Sequence, residues 1–102
     1  MRITYNDKDM DSIGIDAGGS DIFHYKGQLF TGTMVYLFDS GNVECEATYV
    51  NGRIDGVVKY YHPNGKLETE RYEKNNRIYG LYKTWDEDGN LLSSKDCDSP
   101  FG

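Results

Sequence analysis

The sequence contains no long apolar run. No stretch of about 18 residues is apolar throughout, which excludes a membrane-spanning helix. The opening segment from Met1 to Met10 carries no apolar h-region, so no secretory signal is read there and a cytoplasmic product is expected. Cysteine is scarce: Cys45 and Cys97 stand far apart with no companion pair. That is neither a disulfide framework nor a zinc spacing. Without an export signal both are expected to be reduced thiols, and Cys45, which alternates with apolar residues, reads as a small core side chain. His24 and His62 share no ligand spacing with either cysteine, so neither a metal nor a cofactor is expected. Walker loops, Gly-x-Ser-x-Gly and His-Glu-x-x-His are all missing. The many carboxylates lie in open, polar contexts that lack the burial acid–base chemistry needs. No enzymatic activity is expected.

Basic residues are thin in the first half. Residues 1–48 hold three basic and eight acidic groups, residues 49–95 eight and seven, and Asp96 and Asp98 complete a net charge of −6. Nucleic acid and anionic lipid are both repelled by such a field, whereas a basic protein is steered towards it. Only two prolines occur, Pro63 beside a turn and Pro100 in the tail, which leaves strand interiors clear.

Aromatic residues are plentiful, with nine Tyr, four Phe and one Trp. Tyrosine suits a half-wet sheet, where the ring packs and the hydroxyl reaches water. The chain also matches itself when shifted by 24 residues. Gly32, Gly56 and Gly80 coincide, as do Gly41, Gly65 and Gly89. Between them Tyr36, Tyr60 and Thr84 align, then Leu37, Tyr61 and Trp85; Val43, Leu67 and Leu91 follow, and Phe30, Ile54 and Ile78 precede.

Each unit reads as two strands. Turns are expected at Asp39-Ser40-Gly41-Asn42, Pro63-Asn64-Gly65-Lys66 and Glu87-Asp88-Gly89-Asn90, where Asn-Gly and Asp-Gly supply positive φ. A second set links the units at Val50-Asn51-Gly52-Arg53 and Lys74-Asn75-Asn76-Arg77, with Tyr25-Lys26-Gly27-Gln28 as a weaker copy. Connections this short imply an all-β antiparallel β-meander of stacked hairpins. The expected organisation is an acidic N-terminal segment 1–24, three hairpin units 25–48, 49–71 and 72–95, and a tail 96–102. Within the first segment, short strands near Ile3-Thr4-Tyr5 and Ile22-Phe23-His24 are expected to flank a loose loop across Asp7–Ser20. The repeat slips by one place after Arg71, which predicts an extra residue near Lys74-Asn75-Asn76.

Alternation assigns the faces. Val43, Cys45, Ala47 and Tyr49 point one way and Glu44, Glu46 and Thr48 the other; Leu67, Thr69 and Arg71 oppose Glu68 and Glu70 in the same manner. Val43, Leu67 and Leu91 are expected in one row, and Glu44, Glu46, Glu68 and Glu70 together on the opposite face. Like charges so placed destabilise a sheet by roughly a few tenths of a kcal/mol per pair, and Arg53, Lys59, Lys66 and Arg71 stand near enough to offset this. The face admits two readings: a solvated surface that discourages aggregation, or an acidic docking surface for a basic partner. Tyr60-Tyr61 and Trp85 pose the same choice, since each aromatic pair puts one ring on either face and exposed Tyr and Trp anchor interfaces. Asp7, Asp9 and Asp11 have the one-three-five spacing of a calcium loop. Ser12 stands where such a loop needs glycine and Gly18 where it needs a bidentate Glu, so a solvated or partner-contacting arm is expected instead.

The run Tyr49-Val50-Asn51-Gly52-Arg53-Ile54-Asp55-Gly56, followed by Tyr60-Tyr61 and Asn64-Gly65-Lys66-Leu67, resembles the MORN-repeat variant found in YwqK-like antitoxin and immunity proteins. Tyr25-Lys26-Gly27-Gln28-Leu29-Phe30-Thr31-Gly32 resembles the opening unit of such proteins, and the resemblance covers residues 25–95. It implies a single-layer antiparallel β-meander, twisted or curled, with a broad exposed face, no catalysis, and a bacterial protein toxin, possibly a nuclease, as the partner that is neutralised by direct binding. The alternative is a scaffolding or membrane-apposed module with no toxin partner. The departures are Asn76, which replaces the turn glycine in the third unit, and residues 1–24, which fall outside the pattern.

Overall fold

The computed structural model describes residues 1–15, 21–74 and 77–97. Ten strands are present among them: β1 (Arg2–Thr4), β2 (Met10–Ile15), β3 (Asp21–Tyr25), β4 (Gln28–Leu29), β5 (Gly32–Leu37), β6 (Val43–Val50), β7 (Arg53–Tyr61), β8 (Leu67–Lys74), β9 (Arg77–Trp85) and β10 (Leu91–Cys97). Strands β5 to β10 form the expected antiparallel meander in sequential order, and the sheet is open, not closed into a barrel.

Two kinds of turn fold it. Phe38–Asn42, His62–Lys66 and Asp86–Asn90 share one geometry. The first residue of each donates its N–H to the carbonyl of the last, at 2.8, 2.8 and 2.9 Å, and accepts from the glycine in fourth place. Those glycines, Gly41, Gly65 and Gly89, hold φ near 90°, the single left-handed position of a type I turn closed by a glycine bulge. The other kind is a two-residue loop with both members at positive φ: Asn51 and Gly52 between β6 and β7, and Lys26 and Gly27 between β3 and β4. The expected turn at Asn75-Asn76, and the extra residue there, lie outside the described residues, although the flanking Lys74 and Arg77 pair. A register shift does occur nearby, between Glu70 and Tyr72 where β8 meets β9.

The turns are also tied to one another. Asn42 Nδ2 donates to the Pro63 carbonyl at 2.9 Å, and Asn64 Nδ2 donates to the Glu87 carbonyl at 2.8 Å. Lys66 Nζ reaches the Asp88 carbonyl at 3.3 Å.

Residues 1–29 depart most from expectation. Strand β1 adds to the meander, but parallel to β5, with Ile3 opposite Met34. Met10–Ile15, inside the span expected as a loop, pairs as β2 with β3, and β4 completes a second sheet of three strands. Of that span, residues 16–20 lie outside the described residues. The small sheet packs Met10, Phe23 and Tyr25 against the core on the inner face, and backbone bonds tie it and the following Phe30 to the β6–β7 turn: Phe23 N to Gly52 O at 2.9 Å, and Gly52 N to Phe30 O at 2.7 Å. A side chain at Gly52 would meet Phe23 O at 2.9 Å, so this glycine serves both the turn and the close approach of the second sheet.

The core lies beneath this cover. Phe30, Met34, Cys45, Ala47, Tyr49 and Val58 are buried together, with Ile3, Met10, Phe23, Tyr25, Tyr36, Ile54 and Tyr60 packed around them. Fully burying side chains of the size of Met34 or Val58 stabilises by roughly 1.5–3 kcal/mol each. Burial fades towards the last repeat. Val43 and Leu67 are half-buried, but Leu91 and Leu92 are 55% and 65% exposed. The outer edge of β10 pairs with no strand among the described residues.

Candidate docking faces

Register decides which side chains share a face, since residues directly opposite in adjacent strands project the same way. On the outer face Glu46, Lys59, Glu70 and Lys83 stand opposite one another in a single row across β6, β7, β8 and β9. The expected four-glutamate face is therefore an alternating row of charge. Lys59 separates Glu46 from Glu70, and Lys83 follows. Glu46 is also held in place: it accepts hydrogen bonds from the Tyr61 hydroxyl and from Arg2, which reaches across from β1. Burial works to raise its pKa, but the bonds from Tyr61 and Arg2 outweigh it and hold the carboxyl below the usual glutamate value. Burial and the same carboxylate push the Tyr61 hydroxyl up to about 12.

The other two glutamates stand apart from the row. Glu68 is exposed and lies 3.6 Å from His62 Nδ1, while the opposite ring nitrogen of His62 bonds the Trp85 carbonyl at 2.8 Å. Glu44 is exposed at a register shift, where Tyr36 pairs with Cys45 and Leu37 with Val43. The extra residue at this bulge brings Glu44 to line a cavity on the inner face instead of joining Glu46.

That cavity, of about 250 Å³, is lined by Tyr36, Glu44, Cys45, Ala47, Tyr49, Ile54, Val58 and Tyr60. Tyr60 and Tyr61 thus fall on opposite faces, as alternation requires. Each tyrosine of the cavity is braced by a group outside the lining. Tyr5 stacks on Tyr36 with centroids 4.8 Å apart. Phe23 meets Tyr49 edge-on at 5.5 Å, and Phe30 lies at 5.9 Å. The Arg71 guanidinium sits 5.1 Å from the Tyr60 centroid and is bonded to Glu73 at 2.9 Å. Burial raises the Cys45 thiol to about 11 against a partly offsetting hydrogen bond with Tyr60, so it is a poor nucleophile at neutral pH.

The acidic residues of the arm lie at the start of the small sheet. Asp7 accepts from the Asp9 N–H at 2.9 Å, which caps the turn leading into β2, and Asp11 pairs with His24 in the small sheet. Asp7 and Asp9 are half-buried, whereas Asp11 is exposed. Trp85 is half-buried at the end of β9, opposite Leu91. The candidate residues are thus spread over four places: the outer row, the inner cavity, the small sheet with the turn before it, and the surroundings of His62, which adjoins Glu68 and bonds the Trp85 carbonyl. Sequence reasoning missed Tyr36 and Tyr49 as cavity walls, although their places in the alternating strands already put them on one face with Tyr60.

Residues 30–51, 54–75 and 78–95, more than half of the chain, match the family described as MORN repeat variant. No curated protein and no solved structure is matched.

Proposed function

Because the chain belongs to the MORN repeat variant family, we propose that it is a protein-binding module acting as an immunity or antitoxin protein, one that neutralises a cognate basic protein toxin in the cytoplasm by direct contact. The observation that carries this reading is an open, tyrosine-rich sheet on a chain of net charge −6. Exposed carboxylates steer a basic partner and raise its association rate. Aromatic side chains then supply most of the affinity. The YwqK-like resemblance of the Tyr49–Leu67 segment supports a toxin as that partner.

The test is co-expression with the product of the adjoining gene. The reading expects that product to be toxic alone, to be tolerated with this chain, and to co-elute with it as a stoichiometric complex. A harmless neighbour, or a toxic one that neither binds nor is restrained, overturns it. A second reading, a scaffolding module, is favoured by one feature, the outer edge of β10, which pairs with no strand among the described residues and carries exposed Leu91 and Leu92. It expects a complex with a non-toxic protein.

A further inference from the structure

We propose that the inner-face cavity receives one cationic side chain, a lysine or an arginine, from the protein partner; this deepens the protein-binding reading and rests on it. The cavity has a volume of about 250 Å³ and opens to solvent beside the exposed Glu44. An apolar cavity of roughly 150 Å³ already holds a benzene molecule, so an aliphatic stem with an ammonium or guanidinium head fits here.

The chemistry of the walls selects the head group. Tyr36, Tyr49 and Tyr60 line the cavity, Tyr5 and Arg71 take only one face of Tyr36 and Tyr60, and the negative face of an aromatic ring attracts a cation within about 6 Å. The chain itself displays the preference, with the Arg71 guanidinium 5.1 Å from the Tyr60 centroid. Arg71 is not part of the lining, and its charge is matched by Glu73 at 2.9 Å, so it leaves the cavity open to a second cation. Glu44 is the lining carboxylate, and no ion pair engages it among the described residues. An anionic guest meets repulsion from Glu44, and a neutral apolar one gains nothing from it. Ala47, Ile54 and Val58 complete an apolar lining for the stem.

The cavity is also preorganised. Tyr5 holds Tyr36, Phe23 and Phe30 hold Tyr49, and Arg71 holds Tyr60. Walls fixed before binding lose little side-chain freedom when the guest enters, which keeps the entropic cost of binding small.

The test is an NMR titration of the whole chain at low salt with three blocked amino acids: the N-acetyl methylamides of lysine, arginine and norleucine. The cationic probes are expected to shift the ring resonances of Tyr36, Tyr49 and Tyr60 and the amide of Glu44. Norleucine, which keeps the stem without the charge, is expected to bind at least about five-fold more weakly. Glu44→Gln is exposed and leaves the fold intact, and it is expected to weaken the cationic probes by about three-fold. Equal binding of norleucine, no shift at these rings, or an affinity unmoved by Glu44→Gln each overturns the proposal. Failure of the cavity is distinguishable from failure of the wider reading. A toxin that still binds Glu44→Gln with unchanged affinity sinks the cavity alone, whereas a chain that binds the probes but no partner sinks the protein-binding reading.

Discussion

Replacing Glu46 with glutamine removes one negative charge from the β6 end of the outer row. The carboxylate accepts from Tyr61 and Arg2 and stands opposite Lys59. Hydrogen bonds to a charged group contribute roughly 1.5–3 kcal/mol. Glutamine keeps one oxygen for Tyr61, so only part of that is lost. The Arg2 side chain is 55% exposed, which limits its share to at most about 1 kcal/mol. Together these give a loss of about 1–2 kcal/mol for Glu46→Gln at neutral pH, or a fall in Tm of about 5–10 °C for a domain of this size. The effect carries a pH signature. The carboxyl titrates lower in the folded chain than its unfolded value of about 4.3. Its contribution is therefore complete above that unfolded value and is lost as pH falls through the lower folded one. Urea unfolding of both proteins at pH 7 and in steps down to pH 2 measures the difference. A gap at neutral pH that closes in acid fits the structure. Equal stabilities at pH 7, or a gap of constant size down to pH 2, refute the assignment of Glu46 as the hub that ties β1 and β7 together.

Three further outcomes are expected. Gly32→Ala places a Cβ 2.5 Å from the Met1 carbonyl at a φ of 149°, and is expected to cost about 2 kcal/mol or more and to strip hydrogen-exchange protection from the amides that pair with β5; unchanged protection at Ile3 and Tyr5 counts against the parallel pairing. Cys45, its thiol raised to about 11 by burial, is expected to resist a disulfide reagent at pH 8 until urea unfolds the chain, and rapid modification of native Cys45 contradicts its place in the core. The double change of Glu44 and Glu68 to glutamine is expected to leave the fold intact and slow association with a basic toxin several-fold at low salt, with little effect at high salt; an on-rate in stopped flow that ignores both changes places the docking surface elsewhere.

The meander was legible because its determinants are local. A glycine at fixed offset sets the turn inside each repeat, and alternation over six or seven residues sets each face. The second sheet was not legible, because the apolar alternation of Met10–Ile15 is confined to Ile13 and Ile15 and a register shift between Ser12 and Gly14 interrupts its pairing with Asp21–Tyr25. The parallel seat of Arg2–Thr4 beside β5 is a long-range pairing that leaves no short-range mark. The glutamates show a different kind of miss. Their alternation placed Glu46 and Glu70 correctly on one face, but Lys59 and Lys83 also stand 24 residues apart and belong to the same row. Glu44 escaped because a bulge breaks the parity that alternation relies on.

The bonds between turns bear on how such a chain can change over generations. The acceptors of the two asparagine amides are the carbonyls of Pro63 and Glu87, which occupy the same place in successive repeats. Their counterpart in the first repeat is Asp39. An aspartate, a proline and a glutamate have no side-chain chemistry in common, and none is needed, because what the neighbouring repeat takes from this place is a peptide oxygen. Mutation can therefore rewrite the charge and shape of that rim while the alignment of one hairpin on the next is kept by the main chain. A lineage obliged to follow a changing partner has, along this edge, letters it can alter without disturbing the grammar that holds them.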